Sequence, residues 1–341
     1  MEKSMSERDG MTQQKKDSPS KLLSLDFLRS YGITMRPYLL FVSGITGIAG
    51  LSFAPDLPIL PLTILSVTFF LSYGFGQALT DCFQTDTDSL SSPYRPLTQG
   101  RIKKRDVLAV SLFGLLLSGI ILTLFFPINL ILSFVAIIGL ATYTFFKRRW
   151  WGGPFYNAWI VALLCLIAYL AGCGGADTKM IWNPALLATL ATVFFGYANF
   201  VLTGYYKDIS ADRETGYNTL PVVFGLKTAS VVSDLFASLT FIACGTTIFL
   251  TLPQGEGLTV NGYSLLFAIG GVFASLLAQI RLHRVSSEND AHEAITPVVH
   301  SYLLLLSAIA TSQKPDWSIP LILFYMGFLL VMRLRPMKQQ I

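Results

Sequence analysis

Charged side chains are scarce in this sequence: Asp, Glu, Lys and Arg make up 13% of its 341 residues, about half the roughly 25% of a soluble globular protein. That shortage excludes a soluble domain, and with it a nucleic-acid-binding fold or a disordered tail protein. Cysteine is equally thin. Cys82, Cys165, Cys173 and Cys244 are scattered, with no CxxC pair, so neither a disulfide scaffold nor a zinc or redox site is indicated. The three histidines, His283, His292 and His300, show no metal-ligand spacing and read as structural. No internal repeat is visible, and the first 20 residues lack the apolar core of a cleavable secretory signal.

What the chain has in quantity is apolar length. Hydrophobic residues make up 52% of it, and its mean hydropathy is +0.56. Ten stretches, 36–54, 60–80, 107–126, 128–147, 155–174, 182–204, 229–252, 262–281, 295–312 and 317–333, are candidates for membrane-spanning helices, which need about 18 apolar residues. The ninth is interrupted by Pro297, His300 and Ser301, so it either crosses or lies partly in the interface as a half re-entrant segment. The expected fold is therefore an all-α polytopic membrane bundle of nine to ten transmembrane helices. With a cytoplasmic amino terminus and ten crossings, all but Lys179 and Lys314 of the 25 Lys and Arg residues fall on the inner side, as the positive-inside rule requires. Residues 1–20 are expected to form a disordered cytoplasmic tail and residues 21–341 a single transmembrane domain in the cytoplasmic membrane. Residues 21–34 read as an interfacial helix. No nucleic acid and no protein partner is indicated.

Chemistry, if present, belongs on the inner face, where the long loops 81–106 and 205–228 carry grouped Asp residues. If the helix of the second span continues, Asp81 and Asp88 share nearly one face with Gln84 one turn from each; Asp86 joins them only if the helix has ended. After the sixth span Asp208 and Asp212 form an i, i+4 pair. Their mutual repulsion is relieved by a cation, and a small set of carboxylates suits Mg²⁺ that also holds phosphate oxygens. Arg95, Lys147, Lys207 and Arg213 complete a candidate diphosphate clamp. Solvation explains either loop alone; the two together, each at the inner end of an even-numbered span, point to a site. Gln77, Asn157 and Asn199, near the inner ends of spans two, five and six, face either a cavity or a neighbouring helix. Asp234 is likewise either a cavity residue or one paired near the interface.

These residues resemble the UbiA superfamily of intramembrane prenyltransferases. Its first signature, Asn-Asp-x-x-Asp-x-x-x-Asp followed by Pro-x-Arg-Pro-Leu, is matched in register by Thr80-Asp81-x-x-Gln84-x-x-x-Asp88 and Pro93-Tyr94-Arg95-Pro96-Leu97. The second, a DxxxD run leading into Asp-Arg-x-x-Gly and Thr-Leu-Pro, is matched by Asp208, Asp212-Arg213, Gly216 and Thr219-Leu220-Pro221. Tyr143 and Lys147 match a YxxxK element, and Arg36-Pro37 resembles the family's lead into its first span. The resemblance implies a helical bundle around a central cavity, two Mg²⁺ ions between the Asp motifs, and an isoprenoid tail in a lipid-open groove. It implies transfer of the isoprenyl group from its diphosphate to a small acceptor, usually an aromatic ring. On that footing Asp81, Asp88, Asp208 and Asp212 are the catalytic, metal-holding carboxylates, with Gln84 as a further ligand. Arg95, Tyr143, Lys147, Lys207 and Asn199 are then the substrate-binding residues. Two departures stand out: Thr80 replaces the usual Asn, and Gln84 replaces the middle Asp, removing one anionic ligand. A tenth span is also one more than the family's nine. A terpene cyclase of the same superfamily, a non-catalytic lipid-binding relative and a transporter are the alternatives; the gathering of the motif Asp residues at one face weighs against a carrier.

Overall fold

The computed structural model describes residues 19–174, 183–252 and 261–335; residues 1–18 of the expected tail, and Lys179, lie outside the described residues. Among the described residues every regular element is helical. In chain order these are α1 (Leu25–Thr34), α2 (Leu40–Leu51), α3 (Ile59–Asp81), α4 (Thr85–Ser91), α5 (Lys104–Phe125), α6 (Asn129–Lys147) and α7 (Gly153–Cys173). They continue as α8 (Pro184–Gly204), α9 (Ile209–Glu214), α10 (Leu220–Leu250), α11 (Gly262–Leu282), α12 (Ala291–Gln313) and α13 (Ser318–Arg333). Nine helices among the described residues are long and apolar enough to cross a membrane, and Pro37–Leu51 is a shorter apolar helix. Large apolar side chains such as Phe113, Ile120 and Leu124 on α5 stand exposed on the outside of the bundle, where only hydrocarbon suits them. The chain is an integral, multi-pass membrane protein.

The short helices explain themselves locally. In α1 the apolar-face residues Phe27, Tyr31 and Thr34 are buried at helical spacing, and the Ser24 side chain caps the Phe27 N–H at 3.2 Å. Leu25 and Leu28 face outward, as an interfacial helix requires. In α10, Gly225 has φ 78°, a left-handed conformation that favours glycine, so the span expected from 229 is preceded by a separate short turn beginning at Leu220.

α12 is continuous, which decides between the two readings of the ninth segment. Pro297 has no N–H to give the Glu293 carbonyl four residues earlier. Arg281 Nη1 of α11 donates to that oxygen instead, at 2.8 Å. α12 is also the helix most completely enclosed, 89% of its most apolar window being buried against 22–61% for the other eight. It packs on α11, α8 and α2, so its Ser, Thr and His residues have protein neighbours rather than lipid.

Close helix approach holds the bundle together, because lipid removes most of the hydrophobic drive for association. All of α2 except Ile48 is buried. A Cβ on Gly47 would run into the Phe69 ring, and one on Gly50 would collide with the Cys165 carbonyl of α7 and lie 2.9 Å from the Ala168 Cβ. Gly50→Ala is therefore expected to cost about 1–3 kcal/mol, the scale of overpacking a filled interior, and to lower the Tm of the detergent-solubilised protein. Gly245→Ala, whose Cβ would meet nothing within 4 Å, is expected to leave Tm unchanged; equal Tm values for the two variants would contradict this packing.

Candidate active site

The first acidic motif does not continue as one helix. α3 ends at Asp81, the chain turns through Cys82 and Phe83, and Gln84 (φ −120°) opens α4. The turn nevertheless returns Asp88 to the side of Asp81. Arg95 Nη1 lies 2.5 Å from Asp88 Oδ2 and 3.9 Å from Asp81 Oδ1. Arg36 Nη2 donates to both Asp81 oxygens at 3.0 and 3.1 Å, and Gln77 Nε2 donates to Oδ1 at 2.6 Å. Thr80, which stands where an Asn amide is usual, turns its hydroxyl back to the Gln77 carbonyl at 2.9 Å. Asp86 points away, to Arg148 at 3.2 Å and the Tyr217 hydroxyl at 3.3 Å, so it does not stand in for the missing carboxylate even though the helix has ended.

The second motif is carried by α9, which follows α8 after one tight turn at Tyr205–Lys207. Asp208 precedes the helix and Asp212 lies inside it with no exposed surface. Lys147, at the end of α6, reaches Asp212 Oδ1 at 3.3 Å and the Gln84 Oε1 at 3.2 Å. Its ammonium also lies 5.3 and 5.1 Å from the ring centres of Tyr205 and Tyr217, within cation–π range. Thr219 donates to the other Asp212 oxygen at 3.3 Å. Burial pushes the Asp212 carboxyl up to about 6 against the opposing pull of Lys147, and burial likewise raises Asp88 despite Arg95; both would gain from a further positive charge. Outside the site, Glu288 pins α9 in place, accepting from the Ser210 backbone N–H and hydroxyl at 2.5 Å.

Two cavities meet here. One, of about 120 Å³, is charged: Asp81, Asp88, Asp208, Arg36, Arg95, Lys147 and Lys207 line it, with Gln84 and Tyr143. The other, of about 110 Å³, is mainly apolar and lies between α3, α5, α6 and α7, bounded by residues such as Leu115, Leu122, Leu140, Leu164 and Ile167. They share Tyr73, Gln77, Thr80, Asn157 and Tyr197, so a charged chamber adjoins an apolar one across a neck with two tyrosines.

Most of the expected site residues are brought together, with three exceptions. Asn199 faces away, accepting from Ser233 Oγ at 2.6 Å beside a separate small void with Gly196 and Thr240; it is a helix-packing residue. Arg213 is exposed. Asp212 stands behind Lys147 and does not line the chamber. The expected metal-holding residues of the two motifs, Asp81, Gln84, Asp88, Asp208 and Asp212, are spaced by cations: among the described residues no three His, Cys, Asp or Glu side chains are grouped closely enough to hold a metal ion. Arg95 sits between Asp81 and Asp88, and Lys147 between Gln84 and Asp212. The donors lining the chamber are nonetheless hard oxygens, the chemistry Mg²⁺ takes. Asp234 proves to be paired near the surface, 2.8 Å from His283 Nε2. Arg36 was not foreseen as a site residue. Its only sequence signal was Arg-Pro at the head of a span; its left-handed backbone (φ 53°) and its pairing with a residue 45 positions away leave no local pattern.

The sequence model of the UbiA prenyltransferase family matches residues 40–296. The digeranylgeranylglyceryl phosphate synthase of Thermococcus kodakarensis is 30% identical over 265 residues, 76% of this chain and 88% of the relative. That of Pyrococcus furiosus is 30% identical over 228 residues, 66% of this chain and 78% of the relative. Among solved structures, a UbiA homolog from Aeropyrum pernix K1 superposes with a TM-score of 0.67 at 16% identity, covering 79% of this chain and 96% of that one. A UbiA homolog from Archaeoglobus fulgidus bound to GPP and Mg²⁺ gives 0.61 at 18% identity, covering 84% and 99%; at these identities the likeness speaks for the fold. Three-quarters of this chain carries the family's pattern on the family's helical frame, and the protein belongs to the UbiA prenyltransferase family.

Proposed function

We propose that this prenyltransferase moves an isoprenyl group from an isoprenyl diphosphate to an acceptor at the neck between its two cavities. The observation that carries the reading is that neck: a chamber lined by four cations and three carboxylates opens at Tyr73 and Tyr197 into an apolar one, the shape of a molecule with a diphosphate head and a hydrocarbon tail. The A. fulgidus neighbour was solved with GPP and Mg²⁺, which supports the same pairing of substrate and metal for this chain. Asp81, Asp88 and Asp208 would hold the metal. When bound, Mg²⁺ acts as a Lewis acid on the leaving diphosphate.

The chain's own groups do the rest. Arg36 and Arg95, now on carboxylates, are placed to pass to phosphate oxygens in the fork geometry guanidinium favours. Lys207 and Lys147 add point charges to the same wall. The bond from the isoprenyl carbon to the diphosphate oxygen breaks, a bond to the acceptor forms, and the acceptor loses a proton. Tyr73 and Tyr197, aromatic groups of the kind that favour a cation, border both cavities where charge would develop, while the apolar chamber keeps water from it. Tyr143, hydrogen-bonded to Tyr205 at 2.8 Å, and the buried Gln84–Lys147–Asp212 chain hold the wall itself.

An aromatic acceptor is one reading. The relatives' name favours a second: their product carries geranylgeranyl groups on glyceryl phosphate, which makes a glyceryl hydroxyl the acceptor. We place the motif end of the bundle on the cytoplasmic side. Arg95, Arg101, Arg148, Arg149 and Arg284 lie in the connections at that end, whereas Lys314, at the other end, is bound to Asp56 at 2.5 Å.

Purified protein is expected to release pyrophosphate from isoprenyl diphosphates only with Mg²⁺ and an acceptor, tested with aromatic acceptors and isoprenylglyceryl phosphates. Asp81→Asn and Asp208→Asn should each lose about 100-fold or more in rate, the scale of removing one contact to developing charge; full activity in both would sink the assignment. Release without acceptor would identify a cyclase or a hydrolase. Ser118→Phe, filling a buried position that borders the apolar chamber, should shift preference toward shorter isoprenyl chains in competition assays. Lys147→Met should cost about 3–5 kcal/mol by stranding the Asp212 carboxylate, and adding Asp212→Asn should recover most of that in thermal unfolding. No recovery would mean that Lys147 acts by packing alone.

A further inference from the structure

We propose that the charged chamber takes one divalent ion per chain rather than the two the family pattern implies, and that the Lys147 ammonium occupies the place a second ion would need. The inference rests on the diphosphate site proposed above. A second ion bridging the two motifs requires an anionic oxygen from each. The middle position of the first motif is Gln84, whose neutral amide oxygen already accepts from Lys147 at 3.2 Å. The last position of the second motif, Asp212, has no exposed surface, gives Oδ1 to Lys147 at 3.3 Å and accepts from Thr219 at the other oxygen.

The bridge between the motifs therefore exists already, made by the monovalent Lys147 ammonium. Lys147 is itself buried, 4% exposed, with two tyrosine rings against its ammonium. A divalent ion entering between Gln84 and Asp212 would strand that ammonium in a low-dielectric interior, the costly outcome for half of a buried pair, and would gain only one carboxylate. The first motif's own carboxylates differ. Asp81 and Asp88 are held by guanidinium groups that also border the chamber and can move onto phosphate as an ion takes the carboxylates. One or two carboxylates with substrate oxygens complete a Mg²⁺ shell, and Asp81, Asp88 and Asp208 supply them. Gln84 is then the residue that fits the loss of the second ion: an Asp there would contest Lys147 with Asp212, whereas an amide accepts from the lysine without adding charge.

The test counts ions. Full-length protein in detergent is titrated with Mn²⁺ in the presence of geranyl S-thiolodiphosphate, free Mn²⁺ being read by electron paramagnetic resonance and bound analogue by equilibrium dialysis. One Mn²⁺ per chain is expected; two would overturn the inference while leaving the diphosphate site standing. If the analogue binds neither with nor without Mn²⁺, the proposed function falls and this inference with it. The double variant Gln84→Asp/Lys147→Gln restores the carboxylate and removes the ammonium. It is expected to bind two Mn²⁺ and to gain several degrees in Tm from Mn²⁺, more than the wild type. A folded double variant that still binds one ion would show that Lys147 does not exclude the second; if the variant does not fold, the wild-type count decides alone.

Discussion

A carboxylate cannot be left unpaired in a bundle that excludes water, and this constraint organises the motif end of the molecule. The charges there come from sequence positions spread from Arg36 to Asp212, and they meet because each needs another. Asp81 draws in Arg36 from the head of the first span and Arg95 from the loop beyond α4. Asp212 takes Lys147 from the end of α6. The two ion-pair groups meet where Gln84 accepts from the same lysine. The result ties the ends of α3, α6 and α8 to the loops that follow them, and it gives a wall of alternating charge before any ligand arrives. Breaking one member strands its partner, so the residues that would bind a diphosphate also hold the frame.

That arrangement separates what was legible in the sequence from what was not. Apolar length gave the spans, because a helix facing lipid has to be apolar over a fixed distance. Motif spacing gave the acidic positions and their common face of the membrane. It did not give which carboxylates look into the chamber, because that depends on where α3 stops. The helix ends at Asp81 rather than running on, and the turn back through Gln84, not helical periodicity, sets Asp88 beside Asp81. That Asn199 lies outside both chambers was not legible for a related reason: a polar residue near the inner end of a span is consistent with a cavity or with a neighbouring helix, and its partner, Ser233, lies 34 positions away. Arg36 went unread because arginine at a membrane edge already has an explanation in topology. The ninth segment looked broken because Pro297 removes a donor, and only the tertiary fold could show that Arg281 replaces it.

The two departures from the family's first motif look less like decay once their neighbours are known. Where Asn would stand, Thr80 closes its hydroxyl onto its own helix, and Gln77, one turn earlier, supplies an amide N–H to Asp81 in its place. Where Asp would stand, Gln84 accepts from Lys147. Each substituted side chain finds a partner of its own, Thr80 on the Gln77 carbonyl and Gln84 on Lys147, so neither adds an unpaired polar group in a low dielectric.

α3 connects the two halves of the proposed reaction. Tyr73, Gln77 and Thr80 are spaced three and four residues apart, so they lie on one helix face, and all three border both cavities. Ser72 and Gly76, each one residue before Tyr73 and Gln77, border the apolar chamber, whereas Asp81, one residue after Thr80, borders the charged one. A single rigid helix therefore sets the distance between the group that would hold the diphosphate and the surface that would hold the hydrocarbon. The charged end can exist only near the membrane face, where ion pairs reach partners from loops as well as helices, and the apolar end only deeper, where nothing competes for water. Chemistry at the bond joining head to tail has to occur where those two requirements change over, and on this chain that is the stretch from Tyr73 to Asp81.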